Sequence, residues 1–305
     1  MRFSKGVALL VIVALILAIA IFYFSQPKRV RETTEKPLKR EQKQRRLPQG
    51  IPSQEPQKRQ EVERYEEKVP FLEKQKIAII IDDVGYDLAP LKALLKIDAP
   101  ITFAILPHLP HSLDAAEMLH REGREILLHI PMEPQAYPEE NPGEGALFLW
   151  MNEDQIRQQV EENIDAVPYI VGVNNHMGSR FMEDRTKLLV VLRQIKERGL
   201  FFVDSLTTPH SKGGEVAKAI GLRFAARNVF IDNGQDYKKT FQILMDLVDK
   251  QNLGKMENLF IIGHPHPTTV RALRETVPIL KEKGVEIMAV SHLLEMSGEG
   301  NHDRR

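Results

Sequence analysis

The hydrophobic and polar positions of this 305-residue chain fall into three successive patterns. From Val7 to Phe24 there is no charged residue and no polar group beyond the Tyr23 hydroxyl. That length approaches the roughly 20 apolar residues that cross a bilayer and exceeds the usual signal-peptide core. Ala18-Ile19-Ala20 has the small residues of a cleavage site, but bulky Ile21, Phe22, Tyr23 and Phe24 follow it. An uncleaved membrane anchor, a transmembrane helix, is therefore expected over residues 1–27. Residues 28–75 hold Lys, Arg, Glu and Gln with five prolines and few large apolar side chains. Such a segment cannot bury enough surface to offset its ordering entropy and reads as a disordered linker.

From Lys76 onward short apolar runs alternate with helical periodicity. The strand-like runs are Ile77–Ile81, Ile101–Leu106, Glu125–Ile130, Tyr169–Val173, Leu200–Val203, Leu259–Gly263 and Val285–Val290, with a weaker one at Arg223–Ala226. Between them Ile156, Val160, Ile164 and Val167 recur at helical spacing behind a capping pair, Asn152 and Gln155. Phe241, Leu244 and Val248 mark another helix; Val270, Leu273, Val277 and Leu280 mark one that Pro278 is expected to kink or split. Strands alternating with helices pair in parallel through crossovers. The pattern predicts one α/β domain over residues 76–297, a distorted (β/α) barrel of seven or eight parallel strands, with a tail at 298–305. An open doubly wound sheet is the alternative.

Polar residues cluster where the apolar runs end. Asp82 and Asp83 follow the first run, His108 the second, and His129 closes the third. Asn174, Asn175 and His176 follow the fourth, Asp204 and Ser205 the fifth, His264 and His266 the seventh, Ser291 and His292 the last. Six of the ten histidines thus fall at strand ends, which in a parallel barrel share one face and build the active site. Neighbouring side chains on a strand point to opposite faces, so for both aspartates to serve one site they are expected past the strand end, in a turn eased by Gly85. The alternative for that pair is a turn that caps the next helix. His210 and His292 read as structural or surface residues; His108 and His266 read as partners that orient ligands.

Composition narrows the chemistry. There is no cysteine, which removes thiolate metal sites, Cys nucleophiles and disulfides. Carboxylates and imidazoles without thiolates suit zinc or another first-row divalent ion, which activates water and polarises a carbonyl. Residues 1–75 carry 16 Lys/Arg against 9 Asp/Glu, and the whole chain is neutral, so the rest is acidic. An acidic domain without a basic, aromatic-interleaved patch argues against a nucleic-acid partner.

Seven stretches, in order, resemble the divergent branch of the polysaccharide deacetylases. They are Ile81-Asp82-Asp83-Val84-Gly85, Thr102-Phe103-Ala104-Ile105-Leu106-Pro107, Glu125-Ile126-Leu127-Leu128-His129-Ile130-Pro131-Met132-Glu133, Asn174-Asn175-His176-Met177-Gly178-Ser179, Phe202-Val203-Asp204-Ser205, Arg227-Asn228-Val229-Phe230-Ile231-Asp232 and Gly263-His264-Pro265. The resemblance implies a metal-dependent hydrolase that removes N-acetyl groups from amino sugars of an envelope polysaccharide. It implies Asp82 as catalytic base, His264 as the acid for the departing amine, and Asp83 and His129 as ligands of a divalent ion, zinc first. Ordinary relatives have a second histidine four residues after the first, where this chain has Glu133 between Pro131 and Pro134. The third ligand is accordingly assigned to His176, with Glu133 as the alternative. Arg180 is a candidate for the arginine of ordinary relatives. Tyr137, Phe148 and Trp150 follow the third strand on the same face, where they either pack over the barrel mouth or stack on sugars.

Positive residues flank both sides of the apolar run, so the resemblance decides its orientation: an inner (cytoplasmic) membrane anchor with the domain on the periplasmic or extracellular side. The altered ligand position supports a second reading, a non-catalytic envelope protein that binds glycan or scaffolds a partner on the same barrel. A metal phosphoesterase is disfavoured by the lack of a basic cluster for phosphate.

Overall fold

The structure is a computed structural model that describes residues 75–247 and 258–299. The expected anchor, the linker up to Lys74 and the tail beyond Glu299 lie outside these residues. Among the described residues no helix is long and apolar enough to cross a membrane.

Strands and helices alternate through the domain. They run β1 (Lys76–Val84), α1 (Leu88–Leu94), β2 (Thr102–Ile105), α2 (Ser112–Arg121), β3 (Ile126–Met132), α3 (Glu153–Ala166), β4 (Gly172–Met177), α4 (Arg185–Glu197), β5 (Phe201–Asp204), α5 (Gly213–Ile220), β6 (Phe224–Ala226), β7 (Val229–Phe230), α6 (Tyr237–Asp246), β8 (Asn258–Gly263), α7 (Pro267–Glu282), β9 (Glu286–Met288) and α8 (Val290–Glu299). Every strand pairing is parallel, in the order β6-β5-β4-β3-β2-β1-β8-β7, with β9 added beside the start of β1.

The two ends of that order are consecutive in the chain. Only Arg227 and Asn228 separate β6 from β7, and their N–H groups donate to Asp204 O on β5 and Phe260 O on β8. One short run therefore bridges the margins of the sheet, which curls into a half-barrel with β6 and β7 at the ends of its strand order.

Strand periodicity divides the core in two. On β1, Ile77, Ile79 and Ile81 belong to the larger cluster, shared with the helices, while Ala78 and Ile80 join Ala104, Leu127, Phe201, Val203, Phe260 and Ile262 in a smaller one. That inner cluster also takes Val290, Leu293 and Leu294 of α8. The helix is anchored where Ser291 N–H meets Glu125 Oε1 at 3.2 Å, just ahead of β3. The N-terminal end of the barrel is thus plugged by apolar side chains, and the polar groups collect at the other end.

Local chemistry accounts for several of these elements. Asn152 and Gln155 form the expected reciprocal cap of α3, each bonding the other's backbone N–H at 2.9 Å. Pro278, expected to break its helix, lies inside a continuous α7, where burial of Leu273, Val277 and Leu280 against the sheet outweighs one missing N–H. The fourth strand begins three residues later than its apolar run, so Asn174, Asn175 and His176 lie within it and do not follow it.

Gly172 on β4 leaves room for the Phe201 ring of the inner core: a Cβ there would sit 2.4 Å from Phe201 Cε2. Phe201 is fully buried and cannot swing away. Gly172→Ala should therefore lower stability by about 1–3 kcal/mol through overpacking. Thermal unfolding checks this, and an unchanged midpoint would mean that the inner core is looser than described.

Candidate metal centre and active site

The open end of the barrel is lined by the inward positions that continue the inner core. Beyond Ile80 comes Asp82, beyond Leu127 comes His129, beyond Gly172 come Asn174 and His176, and beyond Ile262 comes His264. The apolar-to-polar switch on one face of several strands makes the site.

Asp82 and Asp83 lie within β1, not past its end as expected. The register between β1 and β2 shifts between Ile81 and Val84, so one extra residue is inserted on β1. Asp83 takes the left-handed conformation, with φ of 55°. This bulge lets consecutive carboxylates serve the same side of the sheet, a common use of bulges beside active sites. Asp tolerates that conformation better than most residues. Met177, next to His176, is also left-handed, and its carbonyl accepts bonds from Asn175 Nδ2 and Thr207 Oγ1, both at 2.8 Å.

Three of these side chains converge. Asp83 Oδ1 lies 2.9 Å from His176 Nδ1 and 3.2 Å from His129 Nε2, and the two nitrogens are 3.2 Å apart. Despite these distances neither N–H is aimed at Asp83 Oδ1, which is buried without a hydrogen bond. Donor atoms about 2.0–2.1 Å from a tetrahedral ion lie roughly 3.4 Å from one another, close to the edges of this triangle. An orphaned carboxylate oxygen facing two imidazole nitrogens fits a divalent cation, and three protein donors leave a position open for chemistry.

Neighbouring groups orient the triangle. Asn174 Oδ1 can only accept, so at 2.9 Å it takes the Nδ1–H of His129 and leaves Nε2 bare toward Asp83 in the neutral ring. The amide nitrogen of Asn174 donates to Asp82 Oδ1 at 2.7 Å. Burial pushes the Asp82 carboxyl above the ordinary range, partly opposed by His129 and His264. Burial pushes Asp83 the same way, but the close approach of His129 and His176 outweighs it and holds the group well below the usual carboxylate range. Burial disfavours charge on His129, yet Asp82 and Asp83 more than reverse this and raise its imidazole.

His264 stands on the other side, with Nε2 4.0 Å from Asp83 Oδ2. Its Nδ1 donates to Asp232 Oδ1 at 2.9 Å, while Asp232 Oδ2 accepts from the His264 backbone and from Thr269 Oγ1 at 2.6 and 2.7 Å. Burial alone would lower this histidine, but the bond and charge of Asp232 raise it to about 9. Asp232, His264 and His266 form a second group with donor atoms close together, although Asp232 is already spent on His264 and Thr269.

Of the five site residues expected from sequence, Asp83, His129 and His176 meet in one triangle, with Asp82 and His264 beside it. Glu133 is turned to other work: its carboxylate accepts from Leu149 N–H at 2.7 Å and from Arg180 at 2.8 Å. Arg180 is accordingly paired with Glu133. His108 bonds Asn163 and orients no residue of the triangle through that contact. Asn174 and Asp232 are not among the expected site residues; both lie in the quoted motifs, but the contacts that bring them in, to His129 and His264, depend on strand register.

The parallel, curled α/β sheet thus gathers carboxylates and imidazoles at its open end. The chain belongs to the divergent polysaccharide deacetylase family, whose model matches residues 79–294. It is 34% identical over 206 residues to YibQ, an uncharacterized protein of Escherichia coli K12, covering 66% of this chain and 62% of that protein. An uncharacterized protein of Haemophilus influenzae Rd KW20 is 30% identical over 221 residues, covering 72% of this chain and 76% of that one. The crystal structure of uncharacterized protein ATU2773 from Agrobacterium tumefaciens C58 has the same fold, with a TM-score of 0.68 and 24% identity over 72% of this chain and 89% of that one.

If the triangle holds a divalent ion, His129→Ala should lose most of the bound metal, because two ligands rarely hold a labile ion against water. Glu133→Ala should keep it. Elemental analysis decides: a full equivalent in the first variant, or loss in the second, overturns the ligand set. Because the raised His129 must shed its proton to bind, affinity should climb as pH rises through its pKa, which lies above the ordinary imidazole value. A flat profile would contradict that assignment.

Proposed function

We propose that this chain is a metal-dependent N-deacetylase acting on amino sugars of an envelope polysaccharide. The observation that carries the reading is the Asp83–His129–His176 triangle with a buried carboxylate on one side and a carboxylate-paired histidine on the other. A divalent ion, zinc by donor type, would be held by Asp83, His129 and His176 and would polarise the acetamide carbonyl.

The remaining groups divide the proton traffic. Asp82, steadied by Asn174, is the base that takes a proton from the attacking water as its oxygen bonds to the acetamide carbon. The carbonyl π electrons move to oxygen and give a tetrahedral intermediate. As that collapses, the C–N bond breaks and His264 gives its Nε2 proton to the nitrogen, so acetate and a free amine leave. The raised His264 supplies the protonated acid at neutral pH, and Asp232 keeps it so. Two titratable groups pushed to different roles by their surroundings are what acid–base catalysis needs.

The same reading makes residues 1–27 an uncleaved inner-membrane anchor, with the domain in the periplasm or outside the cell. It is supported by the apolar run from Val7 to Phe24.

Asp82→Asn should keep the metal and nearly abolish acetate release, by about 10²–10⁴-fold. His264→Ala should suffer far less on an aryl acetate ester, whose phenolate leaves without a proton, than on an unactivated amide. Equal losses on both would reduce His264 to a positioning role. A wild-type protein that binds metal and glycan but releases no acetate would favour the binding-protein reading.

Asp232→Asn removes the charge that raises His264, so the alkaline limb of kcat/KM should move to lower pH by about 1–3 units. The sign follows from the acid's role: activity is lost as pH rises through the His264 pKa. An unmoved limb would show that another group sets it.

A further inference from the structure

β6 and β7 end the strand order, and Arg227, between them, ties the two margins by its side chain as well as its backbone. Its Nε donates to Ser205 O at 2.7 Å and its Nη2 to Leu206 O at 3.0 Å, both just past the end of β5. Its Cζ lies 3.9 Å from the centroid of the Phe230 ring on β7. Burial disfavours the charge, and the carboxylates of Asp204 and Asp82 offset only part of that. A half-buried guanidinium bonded to carbonyls is a costly way to close a seam that an apolar side chain could fill.

Phe230 is half-buried against the inner core and pairs in register with Ile262 of β8, two residues before His264. Its ring stacks with the His264 imidazole, with centroids 5.9 Å apart and planes 18° from parallel. The ring of His266, also near His264, is tilted by 32° with centroids 5.6 Å apart. Asp232 holds the imidazole by one hydrogen bond, at Nδ1. A single bond fixes one edge of the ring and leaves the plane free to rock about it. The flat contact with Phe230 supplies the missing constraint.

We infer that Phe230, pinned by Arg227, is a positioning residue that sets the plane of the His264 imidazole and so aims Nε2 into the site. The inference rests on His264 being the acid of the deacetylation proposed above. A group that aims the acid matters where the leaving group needs a proton. The nitrogen of an unactivated amide needs one, and the phenolate of an aryl acetate ester does not. A side chain that only packed would affect both substrates alike.

The test compares Phe230→Leu, Phe230→Tyr and Arg227→Lys with wild type, on the full chain with zinc. Leucine keeps an apolar group against the core and removes the flat ring. Phe230→Leu should lose roughly 10- to 100-fold in kcat on the N-acetyl amide and far less on the aryl ester, with KM and zinc content unchanged. Phe230→Tyr, which keeps the ring, should retain the amide rate. Arg227→Lys keeps a cation near Asp204 and Asp82 but loses the planar guanidinium over the ring, so it should show the same split between substrates. Equal losses on both substrates in either Phe230→Leu or Arg227→Lys would overturn the positioning role. A readout without turnover separates this inference from the deacetylase reading. In histidine-labelled protein the His264 Nδ1 proton, identified by its shift in Asp232→Asn, should give a sharp downfield NMR signal in wild type and Phe230→Tyr. In Phe230→Leu it should be lost through exchange with water. That pattern with no acetate release by wild type would sink deacetylation and keep the positioning role; acetate release with an unchanged signal in Phe230→Leu would do the reverse.

Discussion

One buried carboxylate oxygen organises this molecule. Asp83 Oδ1 faces two imidazole nitrogens without a hydrogen bond from either, a costly state for a charged group in a protein interior. Much of the surrounding structure sustains that position. The bulge on β1 turns Asp83 inward, the parallel pairing of β3 with β4 puts His129 opposite Asn174, and the left-handed Met177 ends β4 just after His176. Asn174 ties the arrangement together by fixing the His129 tautomer with one atom and Asp82 with the other. A cation in the triangle would relieve the unmet demand, whereas an apolar barrel mouth would need none of these devices.

The barrel has two unlike ends for the same reason. Inward positions are apolar from the starts of the strands through Ile80, Leu127, Val203 and Ile262, and α8 seals them below. Two residues further along the same faces come Asp82, His129, Ser205 and His264. The site is therefore the continuation of the core by other residue types, and its groups inherit the rigidity of the sheet. His264 follows the same logic, with Asp232, just past the end of β7, holding its ring from behind.

Much of this was legible in the sequence because it depends on alternation. Apolar runs separated by helical periods define a parallel α/β fold, and the polar residues at their ends mark one rim. Asp82, Asp83, His129, His176 and His264 could be named from those positions and from the motifs around them. What was not legible depends on register. Nothing in Ile81-Asp82-Asp83 announces a bulge, so both aspartates were expected past the strand. The late start of β4 is set by pairing with Leu127 of β3, which no local pattern records. Pro278 misled for a related reason: its local cost is real, but tertiary burial along α7 exceeds it. Glu133 shows the limit most clearly, since its spacing from His129 made it a ligand candidate while Arg180 and Leu149, distant in sequence, claim its oxygens.

The central claim is that Asp83, His129 and His176 hold a catalytic divalent ion in preference to the nearby Asp232, His264 and His266. The most direct measurement is a crystal structure of the domain grown with zinc, with anomalous difference maps collected on both sides of the zinc edge. The account predicts one strong peak bonded to Asp83 Oδ1, His129 Nε2 and His176 Nδ1, with His264 still bonded to Asp232. A peak held by Asp232, His264 and His266 instead, or no peak at either group, would contradict it.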